Sequence, residues 1–402
     1  MATTRNPNFE MLRVLAMLMV LTLHSCNYGG LLFLSPATTP PVRYGLIWLL
    51  ESLSFVCINL YVLISSYFMV GSTFRLSRIA KLWLITLFYS LTVGLAVCLI
   101  AGETFHWQWA LPVSTGEYWF VTDYLLLCLV APFLNRLIHH VSQRALFRLL
   151  MVLAMLFVVL PTLLYPFVST DIKLNDGFHI GWFIVLYFFG AYLRLYPLPA
   201  RRPSKYFATY LALSLLTVVL WLGVQPLLSG LFGPETPAWR PYAYNSVTVF
   251  AASLCLFLMF LNLRPRPDAA PVRFIVRLAP FAFSVYLIHM QPSLFPHIWT
   301  DLLNLSRFYA SPWLLPITLG TNLILFLLLC GVDFLRDRLF CLLQVDPLLE
   351  RACSKLEREV RSIGDRVYLR LTGKQGVPTT GNTPDKGESS SIINSSDTRP
   401  IS

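Results

Sequence analysis

Four ionisable side chains stand out in stretches apolar enough to cross a membrane: His24, Glu51, Asp123 and His289. Ionisable groups at membrane depth are costly and usually face a bundle interior or a water-filled cavity, so they are the first candidates for function. His24 is the strongest of the four, because an imidazole can accept and release a proton near neutral pH. Glu51 or Asp123 is its expected carboxylate partner. The alternative for each residue is a hydrogen bond that holds neighbouring helices together.

The spacing of Arg13 and His24 places both on one face of a helix. Eleven residues at 100° each return to within about 20° of the same direction, and they separate the two side chains by about 16 Å. His289 lies equally far into a later apolar stretch that starts from the same side of the membrane, so the two imidazoles are expected at similar depth.

Arg75 and Arg78 stand three residues apart in the segment Phe74-Arg75-Leu76-Ser77-Arg78 and share a helix face. Two guanidinium groups offer donors in a fixed fork that suits phosphate. The alternative is that both are positive charges that only orient the chain in the membrane.

The whole composition indicates a membrane protein. Of 402 residues, 56% are hydrophobic and 13% are charged, whereas an ordinary soluble domain has about 25% charged residues. A helix needs about 20 apolar residues to span a bilayer, and the sequence predicts an all-α polytopic protein with about ten such helices. The predicted spans are 10–28, 45–70, 82–101, 118–138, 146–165, 179–196, 206–228, 245–263, 278–298 and 312–335.

The distribution of Lys and Arg between alternate connections predicts the orientation. Four of the 31 fall on one side: Arg43, Lys173, Arg240 and Arg307. Sixteen fall on the other: Arg5, Arg13, Arg75, Arg78, Lys81, Arg136, Arg144, Arg148, Arg194, Arg201, Arg202, Lys205, Arg264, Arg266, Arg273 and Arg277. The remaining eleven lie beyond the last span. The positive-inside rule therefore puts both termini in the cytoplasm.

Three segments are predicted along the chain. Residues 1–335 form the membrane-embedded domain, residues 336–372 form a cytoplasmic amphipathic helix, and residues 373–402, rich in Gly, Ser, Thr, Asn and Pro, form a disordered tail. The Lys and Arg residues do not form a basic helix interleaved with aromatics, which argues against nucleic acid as a partner. The eight cysteines stand singly, so no metal site is expected.

Several motifs occur in an order that resembles the acyltransferase 3 family of bacterial membrane O-acyltransferases, in its stand-alone form without an extra periplasmic domain. The first helix has Arg13, then ten residues, then His24, and the second ends in Ile64-Ser65-Ser66-Tyr67-Phe68 before the Arg75 and Arg78 pair. Later segments agree as well: Tyr118-Trp119-Phe120, Pro132-Phe133-Leu134-Asn135, Trp182-Phe183, Gly190-Ala191-Tyr192-Leu193-Arg194 and Ser284-Val285-Tyr286-Leu287-Ile288-His289. The family usually has Gly where this chain has Ser66, so packing at that position is expected to differ.

The resemblance implies a bacterial inner-membrane enzyme with no bound cofactor. Its donor substrate would be an acyl-CoA, most often acetyl-CoA, from the cytoplasm, and its acceptor a hydroxyl of an envelope carbohydrate or lipid-linked glycan. Arg75, Arg78 and Arg13 would bind the CoA phosphates, and His24 would act as the base or carry the acyl group itself. From their depth, Glu51 or Asp123 would orient the imidazole or bind the sugar, and His289 would line the same cavity.

Two other functions fit part of the pattern. A carrier or flippase for an envelope saccharide would also use polar groups in a membrane cavity, but the halves of the chain show no convincing internal repeat. A catalytically inactive relative that serves as an assembly partner is disfavoured, because the His and Arg positions are intact.

Overall fold

The computed structural model describes residues 6–34, 39–165, 168–233 and 241–372, and these residues form helices and connections without a strand. The predicted tail at 373–402 lies outside the described residues. The helices, numbered in chain order, are α1 Pro7–Asn27, α2 Pro41–Ser54, α3 Cys57–Met69, α4 Leu76–Ala101, α5 Trp119–His140, α6 Gln143–Leu163, α7 Ile180–Leu195, α8 Pro203–Leu228, α9 Val247–Asn262, α10 Ala270–His289, α11 Leu314–Leu342 and α12 Val345–Thr372.

The predicted all-α polytopic membrane architecture is confirmed. Eight spans in the described residues are long and apolar enough to cross a membrane when α2 and α3 are counted together as Pro41–Met69, and a ninth arises if the bent pair Asp171–Gly177 and Ile180–Leu195 counts as one. The shorter apolar helix α9 occupies the remaining predicted window. Some boundaries differ from the sequence prediction. The second window is interrupted at residues 55–56, between α2 and α3, and α11 continues to Leu342 instead of ending near residue 335.

The first helix lies inside the bundle. In its most apolar window 72% of the residues are buried, against 22% in α6 and α8, so α1 contacts protein while those outer helices present most of their surface to lipid. Its start is fixed by the Asn6 side chain, which accepts a hydrogen bond from the Asn8 backbone N–H at 3.0 Å. Pro7 follows at a position where the missing N–H costs nothing.

The contact between α3 and α7 explains how Ser66 is accommodated. Ser66 is fully buried and its hydroxyl donates to the Val62 carbonyl within its own helix. A side chain on Gly190 of α7 would begin 2.6 Å from Ser66 Cβ, so only glycine fits opposite this serine. The small residue that lets these helices approach closely is thus supplied by α7.

The chain divides into two compact units, Met1–Arg351 and Ala352–Ser402. The described part of the second unit, residues 352–372, is helical. Its exposed Leu356, Val360, Ile363 and Val367 form one stripe at helical spacing. The cytoplasmic amphipathic segment 336–372, including its position on the membrane surface, remains a prediction.

Candidate active site

A large cavity lies beside the first half of α1, where Arg13 is located. It has a volume of 1150 Å³, and Arg13, Arg75, Arg78 and Lys81 line it together with side chains of α3, α5 and α10. The structure therefore brings the three predicted phosphate-binding arginines to one cavity. Lys81 also forms an ion pair with Asp346 at 2.6 Å.

The arginine pair stands at the start of α4, where its charge is electrostatically disfavoured. Arg75 is the N-cap residue and Arg78 lies in the first turn. The free backbone N–H groups and the helix dipole make a helix N-terminus positive, so cations there repel it. The same combination is a strong site for an anion, because N–H groups, dipole and guanidinium groups all favour negative charge. This arrangement favours anion binding over a purely topological role for the pair.

An aromatic layer connects the cavity lining to the second predicted histidine. Tyr61, Phe120 and Phe283 line the cavity and lie 6.1 to 6.3 Å from one another between ring centroids. Behind them, Tyr286 lies 6.0 Å from Phe120 and 6.1 Å from His289. One layer of rings thus lies between the cavity and the second predicted histidine.

His24 and His289 form a hydrogen-bonded pair beyond this layer. The distance from His24 Nδ1 to His289 Nε2 is 2.9 Å. His289 is fully buried, whereas His24 is half-buried. The contact brings together two imidazoles that are predicted from the sequence to lie at similar depth. His289 therefore stands where the sequence analysis expected a carboxylate.

The backbone determines how the pair shares its protons. His289 Nδ1 lies against the Val285 carbonyl at 2.5 Å, and a carbonyl oxygen only accepts, so this nitrogen must donate. In a neutral His289, Nε2 then carries the lone pair, and His24 Nδ1–H donates to it. In a neutral His24 the remaining nitrogen, Nε2, is unprotonated. The pair thus presents one imidazole nitrogen that can accept a proton or attack a carbonyl carbon.

Polar contacts before and after His24 hold helix α1 in place. The Ser25 hydroxyl donates to the Asn322 side chain of α11 at 2.6 Å, and the Asn322 amide reaches the Thr22 hydroxyl at 3.4 Å. At the other end of α1, the Tyr61 hydroxyl donates to the Arg13 carbonyl at 3.0 Å. The helix that carries both predicted functional groups is therefore fixed at two levels.

The residues 294–303, here called the cover segment, lie over the histidine pair. Phe295 and Trp299 face inward, with ring centroids 5.8 and 6.0 Å from His24. On the opposite face, His297 lies 2.7 Å from the Asp301 carboxylate and 3.0 Å from Glu103 at the end of α4. These three residues, the outer cluster, tie the cover segment to the body of the protein.

The charges of the outer cluster support one another. Hydrogen bonds to Asp301 and then Glu103 raise the pKa of His297 above its ordinary value. The Ser293 hydroxyl and then His297 lower the pKa of Glu103, and His297 lowers that of Asp301. Both ring nitrogens face carboxylates, and only the imidazolium form can donate to both.

The two predicted carboxylates lie elsewhere. Glu51 is buried beside the Cys26 thiol, and its Oε2 atom has no hydrogen-bond partner among the described residues. Cys26 is two residues from His24, which corresponds to nearly opposite faces of α1. Asp123 is half-buried near His179. The orienting contact on His24 Nδ1 comes from His289, and a role of Glu51 or Asp123 in sugar binding remains a prediction.

Phe295 and Trp299 were not among the site residues predicted from the sequence. The apolar window 278–298 was treated as one helix, but α10 ends at His289 and the chain turns back over the pair. Pro292 and Pro296 were the available signal, because proline interrupts the hydrogen bonds of a helix.

A comparison with known protein families identifies one match. A family model described as "Acyltransferase domain" covers residues 6–332, which include the cavity, the aromatic layer, the histidine pair and the cover segment. No curated protein and no solved structure matches the chain.

Proposed function

Since the chain belongs to the acyltransferase 3 family, we propose that it transfers an acyl group, normally acetyl, from cytoplasmic acyl-CoA to a hydroxyl of an envelope carbohydrate. The acceptor is a capsule, exopolysaccharide, O-antigen or lipid-linked precursor. The protein works in the cytoplasmic membrane of a bacterium, with both termini in the cytoplasm.

One observation supports this proposal most directly: α1 carries both a cation that lines the large cavity and the histidine that lies beyond it. Arg13 lines the cavity, and His24 is about 16 Å farther along α1. The CoA phosphates bind Arg75, Arg78 and Arg13, and the thioester end extends toward the aromatic layer. An acyl-CoA has its phosphates at one end and its reactive carbonyl at the other, so this arrangement suits it.

His24 Nε2 then acts on the incoming hydroxyl or on the thioester itself. As a base it removes the hydroxyl proton, so that the oxygen attacks the thioester carbonyl. As a nucleophile it takes the acyl group briefly before the acceptor does. His289 positions the ring in both routes, because its hydrogen bond fixes which nitrogen of His24 carries the proton.

The proposal is tested with full-length protein in lipid nanodiscs, labelled acetyl-CoA and an envelope extract from cells that lack the gene. The wild-type protein is expected to add acetyl groups to the saccharide fraction. If no saccharide gains an acyl group from any short-chain acyl-CoA, the proposed reaction is wrong and the carrier function is favoured.

The donor site is tested by replacing Arg75 and Arg78 together with Ala. The KM for acetyl-CoA is expected to rise about tenfold to a hundredfold, because charge-assisted hydrogen bonds to phosphate are lost. The matched control is Arg144→Ala with Arg148→Ala, which removes the same charge from exposed residues of α6 outside the cavity. An equal KM in the two double variants would show that Arg75 and Arg78 only orient the chain in the membrane.

A further inference from the structure

Trp299 combines complete burial with an unsatisfied polar group. Its side chain is 0% exposed, and its indole Nε1 has no hydrogen-bond partner among the described residues. Buried polar groups in folded proteins nearly always have a partner, so such a group requires an explanation. Phenylalanine would fill the site without a polar atom.

The position of this indole distinguishes it from the other unsatisfied groups near the histidine pair. The Trp299 ring lies 6.0 Å from both the His24 and the His289 rings. The unsatisfied amide of Gln291 instead lies against α4, where a side chain on Gly94 would begin 2.7 Å from its Nε2. The Tyr286 ring packs against the aromatic layer. Trp299 is therefore the unsatisfied donor that touches both imidazoles.

Acyl transfer creates a charge that such a donor can stabilise. When a nucleophile attacks a thioester carbonyl, the carbonyl oxygen becomes an oxyanion, and a fixed N–H about 3 Å away stabilises it more than it stabilises the starting carbonyl. The Trp299 and His24 rings are in edge-to-face contact, with centroids 6.0 Å apart, so a carbonyl that reacts at His24 lies in the immediate surroundings of the indole.

We propose that the indole N–H of Trp299 donates a hydrogen bond to the oxyanion formed during acyl transfer at His24. This inference rests on the proposed function and adds a catalytic residue to it. His24 Nε2 takes the proton of the acceptor hydroxyl, whose oxygen forms the new bond to the carbonyl carbon while the C=O π pair moves to the oxygen. Collapse restores the carbonyl, breaks the C–S bond, and releases a thiolate that takes the proton from His24.

The experiment compares Trp299→Phe with Trp48→Phe in full-length protein in nanodiscs, with labelled acetyl-CoA and the envelope extract as substrates. Trp48 is the matched control, because its indole N–H is also buried with no partner in the part of the chain that the structure describes, but it lies in α2, away from the histidine pair. Trp299→Phe is expected to lower kcat about a hundredfold with an unchanged KM for acetyl-CoA. Trp48→Phe is expected to keep both constants.

A second variant separates the N–H from the shape of the ring. Benzothienylalanine at position 299 has sulfur in place of the N–H and nearly the same outline, so it should reproduce the loss of kcat with an unchanged melting temperature. A wild-type kcat in this variant would overturn the inference, even if Trp299→Phe does not fold. If the wild-type protein transfers no acetyl group at all, the proposed function fails instead, which is a distinguishable result.

Discussion

The cover segment separates two histidine clusters with opposite surroundings. On its inner face, His24 is hydrogen-bonded to His289, and His289 donates to the Val285 carbonyl, with aromatic rings around the pair. On its outer face, His297 lies between two exposed carboxylates. Neutral partners leave one nitrogen of the inner pair able to react, whereas the carboxylates occupy both nitrogens of His297. The partners of a histidine, more than its presence, decide whether it reacts or holds structure.

The largest effect is expected from His24→Ala, which removes the reactive nitrogen. Acetyl transfer should fall about 10⁴-fold, at the upper end of what a general base contributes. The protein should still insert and bind acetyl-CoA, because Arg13, Arg75 and Arg78 remain. Transfer rate and acetyl-CoA binding are measured on the same nanodisc preparation. Full activity in this variant would remove His24 from the reaction.

A smaller effect is expected at His289, and it depends on the substitute. His289→Ala leaves His24 Nδ1–H without an acceptor and free to rotate, which should cost about a hundredfold in kcat. His289→Gln supplies an amide oxygen that can accept the same hydrogen bond, so it should recover much of that loss. Identical kcat values for the two variants would show that His289 acts by packing and not by orienting the base.

The outer cluster should affect mobility more than chemistry. In His297→Gln the charged link between the cover segment and Glu103 is lost, and amide hydrogen exchange in residues 294–303 should become faster. Activity should change only about two- to threefold, since exposed ion pairs contribute little. A loss of activity as large as that of His289→Ala would mean that His297 takes part in the reaction.

The smallest expected effect is the pH dependence of the stability of the outer cluster. The His297 pKa is raised above its ordinary 6.5, so the contribution of the imidazolium is complete below 6.5 and is lost as the pH rises through the raised value. The pKa values of Glu103 and Asp301 are lowered from 4.5 and 3.8, so their contribution is present above those values and is lost on acidification. The outer cluster is therefore most stable in weakly acidic solution.

The measurement is the ratio of exchange rates in residues 294–303 between His297→Gln and the wild type at each pH, which cancels the intrinsic pH dependence of exchange. This ratio should be largest near pH 6 and approach one at alkaline pH. A ratio that does not change with pH would show that the charge of His297 does not hold the cover segment.

Positions along each helix could be predicted from the sequence. Helix positions follow from the length of apolar stretches, and the shared depth of His24 and His289 follows from counting residues from one membrane side. The gathering of Arg13, Arg75 and Arg78 also follows from local spacing. These features depend on distance along a helix, which the sequence records directly.

Rotation of the helices about their own axes could not be predicted in this way. In a soluble helix a polar stripe marks the outer face, but α1 is apolar around nearly its whole circumference, so the face toward α10 is not marked. For that reason a carboxylate was expected on His24 where His289 stands, and Glu51 proved to lie beside Cys26. The position of Trp299 depends on a turn after His289 whose path is set by packing.

The aromatic layer has an electrical consequence. In the proposed reaction an acyl group leaves the cytoplasmic thioester for an outer hydroxyl, and a proton moves from that hydroxyl to the cytoplasmic thiolate. The acyl group leaves its bonding electron pair on sulfur, so its outward transfer counts as one positive charge. One proton moves inward and cancels that charge, so the membrane voltage neither drives nor opposes the reaction. This neutrality holds only while no other ion crosses between the cavity and the histidine pair, where the rings of Tyr61, Phe120 and Phe283 lie.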